Sequence, residues 1–432
     1  MLIPLEYQIS DNRDVKILKK QTFSGYKKSN VFQILEKCMV ENQLDEANHW
    51  CIEIILSGYI DELWEKLFCF ICKHINIANI GIISYIKKRY DIYSSLLELN
   101  NIANNLQLRN NQQFRHLMCE IICILCSSRK IRLPSITKIK KQELRLEHIR
   151  DKLQAKTIVN GSIVKINDPE EFKMISNEFC FSLQKKEFRL CMFWLSWMME
   201  WEKLHIKKLK ECKCAYRPQK NVESKFCYDF IWLVWEILLN EATRIKSSFY
   251  EEIVCLYQLF CNQFKKSKKH KRLIYVVCVI KLLFFGGYKE QHIIANYDII
   301  ITCCSHINLL YKEKKQYENA SEELEKQIKF HSLQRNDYFN INVENNYENK
   351  LPTPIHNRTS KKKRIKNKTK DNKKPKNISD ESYHKLNLVM NQVIRNNHCQ
   401  DYSPTYHFDY TSNNDDNDNH IKNINICSKI KK

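Results

Sequence analysis

The stretch Cys191–Lys203, CMFWLSWMMEWEK, decides the fold class, because it places three tryptophans at helical spacing. Trp194, Trp197 and Trp201 stand at i, i+3 and i+7, so on an α-helix all three lie on one stripe. Large aromatic side chains at such a spacing usually pack inward. We therefore predict that the stripe is the core of a helical domain. The alternative is a stacking or partner-binding surface.

The composition of the 432 residues favours the same class. Only six glycines and eight prolines are present, and long helices tolerate that scarcity, whereas sheet-rich folds need many tight turns. No G-x-G-x-x-G and no G-x-x-x-x-G-K sequence occurs, which argues against the nucleotide-binding enzymes that depend on glycine-rich phosphate loops. We predict an all-α, non-catalytic protein with no cofactor and no small-molecule substrate.

Helical periodicity and composition divide the chain into four parts. An irregular N-terminal segment comes first, followed by two helical domains and a Lys/Asn-rich tail that has too little apolar surface to join a core. We expect this tail to be disordered. The predicted bounds of the four parts are 1–30, 31–156, 157–335 and 336–432.

Two helix starts can be read from capping residues. Ser29 or Asn30 is expected to cap a helix that begins at Val31. The second domain opens at NDPEEF, where Asp168 is the expected N-cap and Pro169 suits the first helical turn. A basic stretch, KIKKQELRLEHIRDKLQAK, leads out of the first domain and is expected to be a solvated helix or linker.

The two helical domains contain an internal echo. Sliding residues 35–55 onto residues 179–199 superposes apolar residues at matching helical positions, and it places Trp50 on Trp194. The echo suggests duplicated helix pairs, with Trp50 as buried as Trp194.

One segment of the first domain, LDEANHWCIEIILSGYIDELWEKLFCFICKHINIANI at residues 44–80, resembles a known family. It is similar to the C-terminal region of the replication-associated recombination protein A family, AAA+ ATPases related to clamp loaders. The resemblance implies a helical collar that assembles subunits without hydrolysing ATP. The chain departs from the family at Asn76 and Ile80, where the family has Gly and Pro. The residues that carry the resemblance are Asp45, Ala47, Trp50, Gly58, Ile75, Ile77, Ala78 and Asn79.

A second likeness covers more of the chain. The sequence TFSGYKK before this helix pair, together with the FWLSWMMEWEK block downstream, resembles an uncharacterised family of helical proteins from nucleocytoplasmic large DNA viruses. The Lys-, Asn- and Ile-rich composition is compatible with such genomes. The resemblance implies a viral setting, in the host nucleus or a viral factory, and it implies no activity.

The nineteen cysteines lie mainly inside apolar helical runs, as in MCEIICILC, so we expect reduced thiols in an intracellular protein. The N-terminal segment has no apolar stretch of signal-peptide length, and no membrane span is evident. Cys119, Cys123 and Cys126 have the spacing of an iron–sulfur motif but are predicted to be packing residues. We predict no metal site; the weak candidates for zinc are His205, Cys212, Cys214 and Cys227.

The net charge of +22 indicates a polyanionic partner. Its densest run is RTSKKKRIKNKTKDNKKPK at residues 358–376, which reads as a phosphate-binding arm or a nuclear import signal. A merely solvated tail is the alternative. The predicted nucleic-acid-binding residues are Arg358, Lys361, Lys362, Lys363, Arg364, Lys366, Lys368, Lys370, Lys373, Lys374 and Lys376.

These observations together predict an accessory protein of viral DNA replication or repair. It would assemble with itself or with protein partners through its helices and bind nucleic acid without sequence preference through its tail. The alternative is a structural or virion-assembly protein that contacts packaged DNA. A metal-dependent enzyme that uses one of the cysteine groups is a third reading.

Overall fold

The described residues form helices and no strand, which confirms the predicted all-α class. The computed structural model describes residues 3–13, 15–19, 21–102, 104–133, 138–157, 161–209, 212–289, 293 and 297–319. Within these ranges there are α-helices, a π-helical turn and short 3₁₀ turns, and no strand. None of these helices has both the length and the apolar character needed to cross a membrane.

Twelve α-helices make up the described part of the chain. A π-helical turn at Ile71–Ile75 continues the fourth of them. The helices are α1 Val15–Leu18, α2 Lys28–Val40, α3 Leu44–Leu56, α4 Ile60–Phe70, α5 Gly81–Leu99, α6 Gln112–Ser127, α7 Glu170–Gln184, α8 Phe188–Leu209, α9 Ile231–Arg244, α10 Tyr250–Cys261, α11 Lys266–Phe285 and α12 Tyr297–Lys314.

The internal echo corresponds to two helical hairpins, α2–α3 and α7–α8, whose turns match. The superposition that places Trp50 on Trp194 also places the end of α2 on the end of α7 and the start of α3 on the start of α8. Asn42 and Lys186 hold the same left-handed turn position, with φ of 59° and 56°. Each turn is closed by a backbone hydrogen bond typical of a helix C-terminus, Gln43 N to Cys38 O and Glu187 N to Ser182 O, both 2.9 Å.

The tryptophan stripe is buried, as predicted. Trp194 and Trp197 are 0% exposed and Trp201 is 6% exposed, and Trp50 is buried at the matching position of α3. Phe193 packs edge-on against Trp194 with the ring centroids 4.9 Å apart. The alternative reading of the stripe as a stacking surface is therefore wrong, because these indoles are not accessible to a partner.

One hydrophobic core runs through both predicted helical domains. It includes residues of α2–α6 and of α7–α11, and the described residues belong to one compact unit. Helix α11 is buried along most of its length, from Leu273 to Phe284. Its Arg272 donates to both carboxylate oxygens of Glu65 on α4, at 2.7 and 2.5 Å. The packing of the core shows no domain boundary near residue 157. The division into two helical domains stays a prediction.

Both predicted helix starts differ from the structure. Helix α2 begins at Lys28, so Ser29 and Asn30 lie inside its first turn instead of capping it. Helix α7 begins at Glu170, and Asp168 does not cap it. The Asp168 carboxylate instead accepts two hydrogen bonds from the Arg217 guanidinium, both at 2.7 Å. A buried ion pair with a distant residue has taken the place of the local capping bond.

Gly58 closes α3 in a conformation that favours glycine, and we expect Gly58→Ala to lower the free energy of unfolding by about 1–3 kcal/mol. Its φ is +75°, and an added Cβ would lie 2.8 Å from Leu106 Cδ2. Gly81→Ala is the control, because Gly81 begins a helix and has no positive φ. Urea unfolding of both variants measures the difference. Equal stabilities would show that neither the backbone conformation nor the Leu106 contact constrains residue 58.

Candidate nucleic-acid interface

Most of the positive charge lies in the helical part of the chain. The predicted run at residues 358–376 is outside the described residues, so its role stays a prediction. Residues 1–319 contain 50 Lys and Arg against 35 Asp and Glu, which is +15 of the chain's +22. A polyanion would therefore meet a strongly positive folded unit as well as any tail.

Residues 129–156, in the segment between α6 and α7, contain ten Lys and Arg against three acidic residues; we call them the basic connector. Within its described residues it forms 3₁₀ turns at Lys141–Leu144 and Leu146–Lys152 and no α-helix, so of the predicted solvated helix or linker it is the linker. Its acidic residues are Glu143, Glu147 and Asp151. Its exposed cations are Arg129, Arg132, Lys138, Lys140, Lys141, Arg145, Arg150 and Lys156.

Buried contacts on α7 and α8 hold the basic connector in place. Trp197 Nε1 donates to the Glu143 carbonyl at 2.7 Å. The backbone amides of Gln154 and Ala155 donate to the buried Glu178 carboxylate at 2.9 and 3.0 Å. Ile149 is wholly buried. These contacts fix the backbone of the connector against α7 and α8. Its exposed cations therefore lie on an ordered segment, and little chain entropy would be lost on binding.

The beginning of the connector lies beside the end of α4. Ile131 N donates to His74 O at 2.6 Å and Leu133 N donates to Lys73 O at 3.0 Å, so exposed Arg132 is adjacent to exposed Lys73. Asn76 Nδ2 also donates to Ile131 O. These contacts join two basic segments that are far apart in the sequence.

Glu36 is the carboxylate that faces this corner. It accepts hydrogen bonds from Lys73 and His74 at 2.7 and 2.9 Å and forms an ion pair with Lys66. Hydrogen bonding to His74 first, and then to the two lysines, holds the pKa of Glu36 well below its usual range. One carboxylate among three basic side chains leaves the corner positive.

The start of α11 extends the positive surface on the other side of α4. Residues 265–271 read KKSKKHK, and of these Lys265, Lys266, His270 and Lys271 are exposed. Cys69 Sγ on α4 lies 4.0 Å from Lys271 O, so the start of α11 is beside α4. The amino end of a helix adds the positive end of its dipole. The connector, the end of α4 and the start of α11 are called the basic surface below.

The basic surface can bind phosphates, and nothing in it suggests base recognition. The tryptophans that sequence spacing offered for stacking are buried beneath it. Lysine and arginine side chains on an exposed segment make phosphate contacts, which carry little sequence information. The sequence alone identifies the connector as a basic segment, because it has ten cations and three carboxylates. Its adjacency to α4 and α11 is visible only in the fold.

The weak zinc candidates are occupied with other contacts. His205 stacks on Trp201 with centroids 3.5 Å apart, and its Nδ1 lies 3.1 Å from Trp201 O. Cys227 Sγ donates to Glu223 O. Burial raises the pKa of the Cys212 thiol to about 12 and that of Cys214 further. No three His, Cys, Asp or Glu side chains of the described residues are arranged to hold a metal ion.

The residues of the collar-like motif are mostly structural in this fold. Ala47, Trp50, Ile75, Ala78 and Asn79 are buried.

Among the remaining motif residues, Asp45 is exposed in the first turn of α3 and Gly58 ends that helix. Ile77 O accepts a hydrogen bond from Tyr288 N at 2.9 Å, and Ile80 N donates to Tyr288 O at 2.8 Å. The segment after α4 is thus clamped to the chain that leaves α11. Only Asp45 offers this motif a free surface, and its role in assembly stays a prediction.

No family model, no curated protein and no solved structure matches the chain.

Proposed function

We propose that this protein is a non-catalytic nucleic-acid-binding protein that holds phosphates on the basic surface of its helical unit. The observation that supports the proposal is the basic connector, whose exposed cations lie on a backbone anchored to α7 and α8. Cations presented this way neutralise phosphates and release counterions, so binding would be strong at low salt and indifferent to sequence. The run at 358–376 would add a second set of phosphate contacts.

Within this proposal, the biological role is an accessory function in DNA replication or repair of a large DNA virus, in the host nucleus or viral factory. The likeness of residues 44–80 to a clamp-loader-related collar supports it, together with the Lys/Asn/Ile-rich composition. The alternative is a structural protein of the virion that contacts packaged DNA. Abundance in purified particles would favour the alternative, and co-purification with replication proteins would favour the accessory role.

Binding is tested by salt titration of fluorescence anisotropy with a labelled duplex and a labelled single strand of DNA. We expect the logarithm of the affinity to fall linearly with the logarithm of the salt concentration, by about 0.9 per phosphate contact on duplex. With about six engaged cations, binding weakens roughly a thousandfold between 50 and 200 mM salt. Duplexes of unrelated sequence should bind alike.

Two full-length variants with equal loss of charge locate the surface. The connector variant replaces four exposed cations by Gln, namely Lys138, Lys140, Lys141 and Arg145. The matched control replaces four exposed lysines elsewhere, namely Lys185, Lys220, Lys225 and Lys246. We expect the connector variant to lose up to about 3.6 from the salt slope and the control to lose much less.

A third variant replaces the eleven cations of residues 358–376 by Gln in the full-length chain. If this variant loses all binding while the connector variant behaves like its control, the tail alone binds nucleic acid and the basic surface does not. If none of the three variants differs from the natural chain, the proposal is wrong.

A further inference from the structure

Four thiols meet where α6 packs against α12. Cys119 and Cys123 are one turn apart on α6, and Cys303 and Cys304 are consecutive on α12. Cys303 and Cys304 pack against the hydrophobic cluster that contains Cys119 and Cys123, and the thiols interact in a row, Cys304 with Cys119, Cys119 with Cys123, and Cys123 with Cys303. A row of contacts differs from a set of ligands around a common centre, and no metal-holding group is present in the described residues.

The two helices are held in register around this row. Arg115 on α6 donates to Asn308 Oδ1 on α12 at 2.7 Å, and its guanidinium lies over the Tyr311 ring at 3.7 Å. Cys304 Sγ contacts His116 O at 3.8 Å. The thiols therefore face one another because of packing along both helices, not by chance approach of loops.

Exposure differs along the row. Cys119 and Cys123 are 2% and 3% exposed, whereas Cys303 and Cys304 are half-buried. Solvent therefore reaches the row on its α12 side, at Cys303 and Cys304. Hydrogen bonds from the Cys119 and Cys303 thiols lower the pKa of Cys123, and the thiolate is the form that reacts with peroxides.

A second thiol pair provides a comparison inside the same molecule. Cys72, in the π-helical turn, interacts with Cys278 on α11 in the main hydrophobic core. Both residues are buried, at 1% and 0% exposed. Neighbouring thiols therefore occur both in the Cys72–Cys278 pair and in the row on α6 and α12. The two groups differ in solvent access, which only the row has.

We propose that Cys119, Cys123, Cys303 and Cys304 form a peroxide-sensitive dithiol site that ties α12 to α6 by disulfide formation. Cys123 thiolate attacks a peroxide oxygen, the O–O bond breaks, and the protonated leaving oxygen departs as water, leaving a sulfenic acid. The Cys303 thiol then attacks the Cys123 sulfur; an S–S bond forms and a second water leaves. In total, two thiols and one hydrogen peroxide give one disulfide and two waters.

The disulfide would close a loop of the chain from residue 123 to residue 303. Its two sulfurs would lie about 2.05 Å apart, the length of an S–S bond. Crosslinks that close long loops restrict the unfolded chain most. Oxidation should therefore raise the thermal unfolding midpoint by several degrees and secure the last described helix against local opening.

The test uses the full-length protein, reduced, freed of reductant and exposed to a small molar excess of hydrogen peroxide with glutathione as an internal standard. After alkylation, peptide mapping without reduction identifies the crosslinks. We expect Cys123–Cys303, Cys119–Cys304 or both, reversed by dithiothreitol, and no Cys72–Cys278 crosslink. Cys303→Ser should leave only the Cys119–Cys304 crosslink, and the pair Cys303→Ser with Cys304→Ser should abolish both and the rise in midpoint.

The matched control is Cys278→Ser, which should change none of the α6–α12 crosslinks. Circular dichroism verifies that each variant keeps its helix content. If glutathione is fully oxidised while all four thiols remain alkylated, or if Cys123 pairs instead with a cysteine outside α12, the proposal fails.

Discussion

Replacing Lys269 with Met is expected to lower the free energy of unfolding by about 3–5 kcal/mol, because it strands two buried carboxylates. Lys269 Nζ donates to both oxygens of Glu202 at 2.7 and 2.5 Å and to both oxygens of Asp229 at 3.0 and 2.8 Å. All three side chains are less than a tenth exposed. The loss is measured by urea unfolding at pH 7.5.

Lys268→Met is the control for this prediction. Lys268 precedes Lys269 and is partly exposed, and its ion pair with Glu65 is 3.7 Å long. Ion pairs of this kind contribute about 0–1 kcal/mol, so this variant should be nearly as stable as the natural chain. Adding Glu202→Gln to Lys269→Met should restore part of the loss, because a neutral amide replaces one unpaired charge.

The destabilised Lys269→Met variant should also recover stability on acidification. Burial, and then repulsion from Asp229, raises the pKa of Glu202, and removing Lys269 removes the group that opposes this rise. With a folded pKa above the unfolded one, the native state binds more protons between the two values, so stability is present at low pH and lost as pH rises. When the pH is lowered from 7.5 to 5.5, the free energy of unfolding of the Lys269→Met variant should therefore rise relative to that of the natural chain.

Titration of other groups does not affect the comparison of Lys269→Met with the natural chain between pH 7.5 and 5.5. Glu53, whose pKa is lowered to about 2 by Lys314 against the effect of its burial, changes protonation only below about pH 4.5, outside the window. Burial lowers the pKa of His116, and its contribution is the same in both proteins. A variant as stable as the natural chain at pH 7.5, or one that loses further stability at pH 5.5, would contradict the buried-triad account.

Trp194→Ala is expected to lower the free energy of unfolding by about 3–5 kcal/mol, because a wholly buried indole leaves a cavity in the core. Trp194 is 0% exposed and packs against Phe193. Trp50→Ala should have a similar effect, since Trp50 fills the matching position of the α2–α3 hairpin and packs edge-on against Tyr26 at 5.2 Å. Denaturant midpoints at constant slope measure both losses.

Two further variants provide reference values for the expected loss of stability. Trp194→Phe keeps part of the volume and should lose less than Trp194→Ala. Tyr250→Ala removes an aromatic ring that is 42% exposed at the start of α10, and it should cost under about 1 kcal/mol. Losses at Trp194 no larger than at Tyr250 would return the stripe to the surface and support the partner-binding reading.

Local patterns in the sequence were sufficient for the helices and for their buried faces. The spacing of Trp194, Trp197 and Trp201 determined both the helix and its inner side, because burial of one stripe is a property of a single segment. The alignment of Trp50 with Trp194 likewise anticipated two hairpins with matching turns, since helix ends follow local turn residues.

Interactions between distant residues were decided by the tertiary structure alone. The sequence predicted Asp168 as a helix cap, and it is instead buried in an ion pair with Arg217. Glu202 on α8 is likewise buried in an ion pair with Lys269, a partner 67 residues away. A charged residue in one segment does not reveal which partner the fold will bring to it.

The same limit applies to the sites. Composition alone determined that the chain is strongly basic, and the densest run drew attention to residues 358–376. Only the fold placed Arg132 of the connector beside Lys73, and only it set Cys123 of α6 against Cys303 of α12. Helices depend on neighbours three and four residues away, so a sequence determines them; surfaces and thiol contacts depend on which helices pack together, which the tertiary structure decides.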